Sequence, residues 1–296
     1  MVYHAYQLAM DSELHLPELI QSHQNHADIH IKFGNLGPVD PIKMPAIGPC
    51  CWTNQHQFRL HIPGVARYEV RQGTQIIIDP APDSDEDSLR VFLLGSALGA
   101  LLFQRKLLVL HGNAIQIGQQ CMVCVGISGA GKSTLAAGFM QRGYPVLADD
   151  VVPVTANGEA LPGFARIKLW QDVATRLNID TQNLRRIRPE LNKFNYPVPV
   201  VSQQTALPIR WIYTLSSHND EDIQITPITG LNKFMPLLRN TYRPRFINGM
   251  GLKSDHLKWC SGLAGKARMA HLSRPKEGFS LDAMIDTILS DIEDQQ

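Results

Sequence analysis

Charge and cysteine are both scarce in this chain. Charged residues make up 19% of its 296 positions, below the roughly 25% of an ordinary soluble domain, which excludes a disordered or highly charged polypeptide. Neither sign prevails: Lys plus Arg number 28 and Asp plus Glu 27, so no global basic field recruits nucleic acid or an anionic membrane, and any anion site must be local. Five cysteines are too few for a disulfide framework and fit a reducing cytoplasm. A long hydrophobic run is missing as well. The most apolar stretch, residues 91–103, falls short of the about 20 residues a membrane span needs and reads as a buried helix. The N-terminus lacks the basic start and apolar core of an ordinary signal peptide. These absences lead us to expect a cytoplasmic protein with neither membrane nor nucleic acid as partner.

What is present is a 44% hydrophobic composition, enough for a full core. No internal repeat breaks the chain, so solenoids drop out. The first ninety or so residues, rich in Pro, His and Gln, hold short strand-like pieces at 29–33, 58–62, 67–71 and 75–78 between turn formers such as Pro63-Gly64 and Gly73. They read as a β-rich module. Residues 88–104 form a helix whose Gly95, Ser96, Ala97, Gly99 and Ala100 allow close packing. Strands are expected at 107–117 and 121–125, joined by the three-residue turn 118–120, then a helix over 132–141 stopped by Gly143 and a strand over 144–148. Further on, 171–178 and 231–240 read as helical, 211–215 as a strand, and 281–292 as an amphipathic terminal helix.

Residues 126–133 read Gly-Ile-Ser-Gly-Ala-Gly-Lys-Ser, followed by Thr134, a full match to the phosphate-loop pattern G-x-x-x-x-G-K-[ST]. Such a loop must curl until successive backbone N–H groups converge on phosphate oxygens, and Gly126, Gly129 and Gly131 supply that freedom, with Ser128 and Ala130 between them. The loop opens a helix whose N-terminus favours the same anion. Lys132 then reaches the β- and γ-phosphates, and the Ser133 hydroxyl ligates Mg²⁺. The apolar strand before the loop and the helix formers after it are the context the motif demands.

Asp149 and Asp150 end the next strand. A strand–helix–strand unit normally runs parallel, so both strands finish on one edge of the sheet and the carboxylates face the phosphates. Because successive strand residues point to opposite sides, one aspartate serves the metal and the other a substrate hydroxyl; the plainer alternative is a turn pair. Carboxylates beside phosphates imply Mg²⁺ as the bridge. His111 falls opposite about residue 127 if the three-residue turn sets the register, beside the γ-phosphate; a satisfied core histidine is the alternative.

Several features carry less. Arg185, Arg186, Arg188 and Lys193 read as a solvated basic face, and Arg274 as either a charge-neutralising arginine or a surface pair. Cys121 and Cys124, three apart on a strand, point to opposite faces, which denies them a shared metal. His23, His26 and His30 have ligand-like spacing without an acidic or cysteine companion and read as a solvated loop.

Taken together, Leu110-His111-Gly112, the loop at 126–133, and Arg142-Gly143-Tyr144 leading to Ala148-Asp149-Asp150 resemble the C-terminal kinase domain of HPr serine kinase/phosphorylase. They resemble more closely its shorter bacterial relatives, including kinases that act on lasso-peptide precursors. The close likeness covers residues 107–150, and a looser one continues through Pro162-Gly163 and Leu169-Trp170 to Arg274-Pro275. The resemblance implies an α/β fold, a P-loop-containing mixed sheet of the HPr kinase/phosphoenolpyruvate carboxykinase type, occupying 88–296 behind the β-rich module of 1–87. It implies ATP and Mg²⁺ as cofactors and a serine hydroxyl on a peptide or small protein, such as a ribosomal peptide precursor, as acceptor. Asp149 is then the general base, Asp150 the metal's partner together with Ser133, and His111 a neighbour of the phosphates that acts in catalysis with Lys132. Relatives form rings or dimers, so a homo-oligomer stays open. The acidic, arginine-containing signature that supports phosphorolysis in that family is missing, residues 162–170 taking its place, so a plain kinase is expected. The alternatives are a small-molecule hydroxyl kinase and a nucleotide-binding switch without kinase activity.

Overall fold

The computed structural model describes residues 1–22, 24, 26–164, 166–188, 190–198 and 205–294. Alternation of apolar and polar residues builds the first sheet. In Gln57–Ile62 the side chains of Phe58 and Leu60 face inward, and in Gln75–Pro80 those of Ile76 and Ile78 do the same. Nine strands pair in the order Ile20–Gln21, Val2–Ala5, Leu8–Ser12, Ile29–Phe33, Gln75–Pro80, Ala66–Arg71, Gln57–Ile62, Cys51–Thr53, Ala46–Gly48. The four expected strands are all among them. The opening hairpin, Val2–Ala5 with Leu8–Ser12, was not foreseen, because Tyr6 and Gln7 at its tip are not turn formers; both nevertheless hold positive φ, at 56° and 59°, the primed geometry that suits a two-residue hairpin.

A helix capped by Asp85, whose carboxylate accepts from the Ser88 amide at 2.7 Å, runs through Glu86–Phe92, the π-helical turn Leu93–Ala97 and Leu98–Gln104. It is buried along most of its length. Gly99 is required there, since a Cβ would meet the Tyr242 ring at 2.7 Å. One hydrophobic cluster joins Tyr68 and Val70 of the sheet, Leu98 and Leu101 of the helix, and Val109, Val151, Phe164 and Tyr242 from beyond it. The division drawn at 87/88 therefore falls inside the helix, and the two expected units share one core.

The second sheet is mixed, giving an α/β protein. Its order is Leu108–Leu110, Val152–Val154, Glu159–Ala160, Leu207–His218, Gln120–Gly126, Gly112–Ile117, Val146–Asp149, with Arg268–Pro275 also paired to Leu207–His218 and Gln224–Ile228 paired to Arg268–Pro275. The expected strand 107–117 is split at His111: its first part pairs with Val152–Val154, its second with Gln120–Gly126. The turn between Gly112–Ile117 and Gln120–Gly126 holds two residues, not three, because Gly118 takes φ 60° at the first central position and Ile117 faces Gln120. Gly112–Ile117 is antiparallel both to Gln120–Gly126 and to Val146–Asp149. These two outer strands thus run parallel and end on the same edge, as expected.

The helix Lys132–Gln141 matches its expected bounds and is followed by Gly143 at φ 86°. The terminal helix Leu281–Glu293 lies on it, where Gly138 leaves room for Leu281 and Ile285. Helices Gln171–Arg176 and Phe234–Arg239 and the strand Leu207–His218 fall where expected. The helix Lys253–Lys266, the strand Arg268–Pro275 and the separate two-stranded ribbon of Arg166–Trp170 with Lys193–Pro197 were not foreseen. Cys121 and Cys124 belong to different hydrophobic clusters, on opposite faces of their strand. No helix among the described residues is long and apolar enough to cross a membrane.

A buried ionic knot ties the helix Glu86–Phe92 to the ribbon. Arg90, 1% exposed, meets Glu18 at 3.1 Å, Glu86 at 3.1 Å and Asp87, while Glu18 also reaches Arg166 at 3.3 Å. Removing one member of a buried pair leaves the other charge uncompensated. Glu18→Ala is expected to cost about 3 kcal/mol in urea unfolding, against less than about 0.5 kcal/mol for the exposed Lys43→Ala.

Candidate active site

Gly126 ends its strand, and the chain then curls through Gly129 at φ 85° and Gly131 at φ 101° into the helix Lys132–Gln141. Those left-handed conformations are open to glycine at little cost. The loop closes around its own lysine: Lys132 Nζ donates to the carbonyls of Gly126 at 2.8 Å and Ile127 at 3.0 Å. Burial pulls this ammonium's pKa down, against the opposing charges of Asp150 and Asp149. Beneath it the buried Asn113, in register with both Cys124 and Asp149, donates its amide to the Lys132 carbonyl.

The aspartate pair stands at the neighbouring strand end. Ser133 Oγ donates to Asp149, 3.0 Å from Oδ1 and 3.3 Å from Oδ2, and Asp149 Oδ2 also accepts the backbone N–H of Lys168 at 3.1 Å. Asp150 leaves the strand with φ 73° and turns elsewhere. Its Oδ2 accepts from Lys168 Nζ at 2.8 Å, and His111 Nδ1 lies 3.1 Å from its carbonyl oxygen and 3.3 Å from Oδ1. The two carboxyls consequently differ. Burial, reinforced by the charge of Asp150, raises the pKa of Asp149 more than Lys168 and Ser133 lower it. For Asp150 burial pushes up, but Lys168 and His111 outweigh it and hold the group well below the usual carboxylate range.

Two expectations change here. His111 does not face residue 127 across a hairpin: the ladder breaks at this residue, whose amide bonds the Asn240 carbonyl at 2.7 Å, and the imidazole turns to Asp150. Ser133 meets Asp149, the other member of the pair from the one it was expected to share a metal with, because alternation along the strand aims Asp149 at the loop and the left-handed turn takes Asp150 away. His111, Ser128, Gly129, Gly131, Lys132, Ser133, Thr134, Asp149 and Asp150 line one cavity of 440 Å³. Gly126 and Ala130 belong to the same loop without lining the cavity.

Sequence reasoning missed Lys168 and the cavity position of Lys193, both of which line the site. A signal existed. The alternation Arg166-Ile167-Lys168-Leu169-Trp170 sends Ile167 and Leu169 into the core and Lys168 and Trp170 to the other face. Arg185 pairs with Asp87 at 2.9 Å, Arg186 lies over the Phe194 ring and Arg188 over Phe92, while Arg185 and Arg186 stay exposed to solvent. Arg274 lies beside Gly131 and lines a neighbouring cavity of 210 Å³ with Arg176, Lys276 and Phe279. His30 lies 3.8 Å from Asp11, and His23 lies outside the described residues.

Among the described residues no group of three or more His, Cys, Asp or Glu could hold a metal alone. The donors that converge here are hard oxygens, the Ser133 hydroxyl and the two carboxylates. That set fits Mg²⁺, which is commonly held by one or two carboxylates plus substrate phosphates and water.

No protein-family model and no curated protein matches this chain. Among solved structures it is similar to the HPr(Ser) kinase/phosphatase from Coxiella burnetii, with 13% identity over 63% of this chain and 97% of that one and a TM-score of 0.26.

The split between the carboxyls has opposite consequences for stability. The raised pKa of Asp149 means that its charge opposes folding, a cost absent below the unfolded pKa of about 3.9 and growing as pH rises through the folded value. Asp150 is the reverse, its contribution present above about pH 3.9 and lost as pH falls through its folded pKa. In metal-free buffer at pH 7, Asp149→Asn should raise the melting temperature and Asp150→Asn lower it, with the first gain gone by about pH 4. Differential scanning calorimetry across that range measures both.

Proposed function

We propose that this protein is an ATP- and Mg²⁺-dependent kinase that transfers the γ-phosphoryl group to a serine-type hydroxyl on a peptide or small protein, with a P-loop fold of the HPr kinase type. The observation that carries the reading is the convergence of the Lys132–Ser133 loop and the Asp149–Asp150 pair on one cavity. Loop amides and the Lys132 ammonium bind the β- and γ-phosphates, the lysine exchanging two loop carbonyls for phosphate oxygens. Ser133 and Asp150 would hold Mg²⁺, which would neutralise charge on the phosphate oxygens. Asp149, which accepts from Ser133 Oγ and the Lys168 amide, takes the acceptor's proton. Its raised pKa suits a base better than that of Asp150, clamped by Lys168 and His111. Lys168 keeps the two carboxyls apart in character, and His111 orients Asp150.

The mouth of the site favours a polypeptide acceptor. Trp170, 49% exposed, lines the cavity at the end of the ribbon, Ile127, 80% exposed, lies on the glycine-rich loop, and Phe279, 45% exposed beside Arg176, lines the neighbouring cavity. Large exposed apolar side chains on the elements that form a site support a surface that a second chain covers.

Lys132→Ala should abolish transfer and weaken nucleotide binding by more than about tenfold. Asp149→Asn should retain binding and lose turnover. Titration calorimetry and transfer of radiolabelled phosphate follow the two effects, and mass spectrometry of acceptors distinguishes a peptide kinase, which adds one phosphate mass to a polypeptide, from a small-molecule kinase. Tight ATP binding with neither hydrolysis nor transfer would indicate a nucleotide switch instead.

A further inference from the structure

Resting on the same phosphoryl-transfer reading, we propose that Lys193, seated over the ring of Trp170, is an anion-binding subsite opposite the glycine-rich loop, taking an oxyanion that belongs either to the γ-phosphoryl group or to a carboxylate of the acceptor. Trp170 and Lys193 are the last paired residues of the ribbon, and both line the cavity. The Lys193 carbonyl is held by the Ile187 amide at 2.9 Å, so the position is fixed from behind. Its ammonium lies 5.3 Å from the centre of the Trp170 ring, an attraction that orients a cation without neutralising it.

The other cations of the cavity are engaged. Lys168 is neutralised by Asp150, and Lys132 is held by loop carbonyls at the phosphate end. Among the described residues Lys193 forms no ion pair, although it is half-buried. Burial and repulsion from Lys168 both lower its pKa, more than Asp150 and Asp149 raise it. A partly desolvated charge without a counter-ion is costly, and an arriving oxyanion removes both penalties at once. The half-exposed Trp170 contributes little to the core, so the pair is better explained as a contact surface than as packing. Lys193 lines the same cavity as both aspartates and the glycine-rich loop, within reach of a group held between them.

The test uses the full chain, wild type against Lys193→Met and Trp170→Leu. If the oxyanion is the γ-phosphoryl group, Lys193→Met should weaken Mg-ATP binding about tenfold while leaving Mg-ADP unchanged. If it is an acceptor carboxylate, both nucleotides should bind as before, and kcat/KM should fall about tenfold for a serine peptide with a neighbouring Asp but not for its Asn counterpart. Trp170→Leu should show the same pattern more weakly. Equal loss for ATP and ADP, or no change in either nucleotide together with no Asp–Asn difference, overturns the subsite. A second readout is independent of kinase activity. Labelling of the Lys193 amine by an N-hydroxysuccinimide ester, followed by mass spectrometry, should be suppressed by inorganic sulfate in wild type. If wild type binds no nucleotide, the kinase reading fails while sulfate protection still supports the subsite; absence of protection by both sulfate and ATP overturns it.

Discussion

Two carboxylates side by side in one cavity repel each other, and the site depends on how that repulsion is resolved. Lys168 resolves it with two different groups: its backbone amide goes to Asp149 and its ammonium to Asp150. A single residue therefore touches both members of the pair but charges them unequally, one by a dipole and the other by a full cation. The result is one carboxyl whose pKa is held down and one whose pKa is raised, the kind of separation that acid–base chemistry uses in paired carboxyls. An arrangement in which both aspartates faced the same cation would lose it.

Lys168 is in turn only as well placed as its ribbon. Arg166–Trp170 pairs as a strand with neither of the large sheets and has Lys193–Pro197 as its strand partner. Its anchoring comes from Ile167 and Leu169 in the core below and from Arg166, which shares Glu18 with Arg90 of the helix Glu86–Phe92. The N-terminal half thereby steadies the ribbon that carries Lys168 without lining the cavity.

Legibility of all this from the sequence was uneven, for physical reasons. The loop, its helix and the aspartate strand were readable because each obeys local rules: glycine where φ must be positive, helix formers after the lysine, apolar residues ending in acids. The hairpin register was misjudged by one residue because Gly118 can lead either a two- or a three-residue turn, and His111 was misplaced because the ladder breaks there, its amide going to Asn240 and its ring to Asp150. Lys168 was hidden for another reason. Its role arises from a ribbon that approaches the aspartates only after folding, and nothing within the pentapeptide announces which neighbour it will meet. The N-terminal hairpin was missed because Tyr6 and Gln7 hold a conformation that neither favours.

That strained hairpin tip has a tertiary cause. Tyr6, fully buried, has its amide bonded to the Pro162 carbonyl at 2.8 Å and its ring 5.2 Å from that of Phe164. Gly163 admits the ring, since a Cβ there would meet Tyr6 at 2.9 Å and Ala148 at 3.2 Å. Ala148 precedes the aspartate pair, and the Gly163 amide bonds the Leu147 carbonyl at 2.7 Å in the same strand. The first sheet therefore wedges one aromatic ring behind the strand that carries both acids. Positive φ at a tyrosine costs on the order of 1–3 kcal/mol, and such strain persists where surrounding contacts over-determine it. Here those contacts lie behind the strand edge that carries both acids, so its rigidity is supplied in part by a residue more than a hundred positions earlier in the chain.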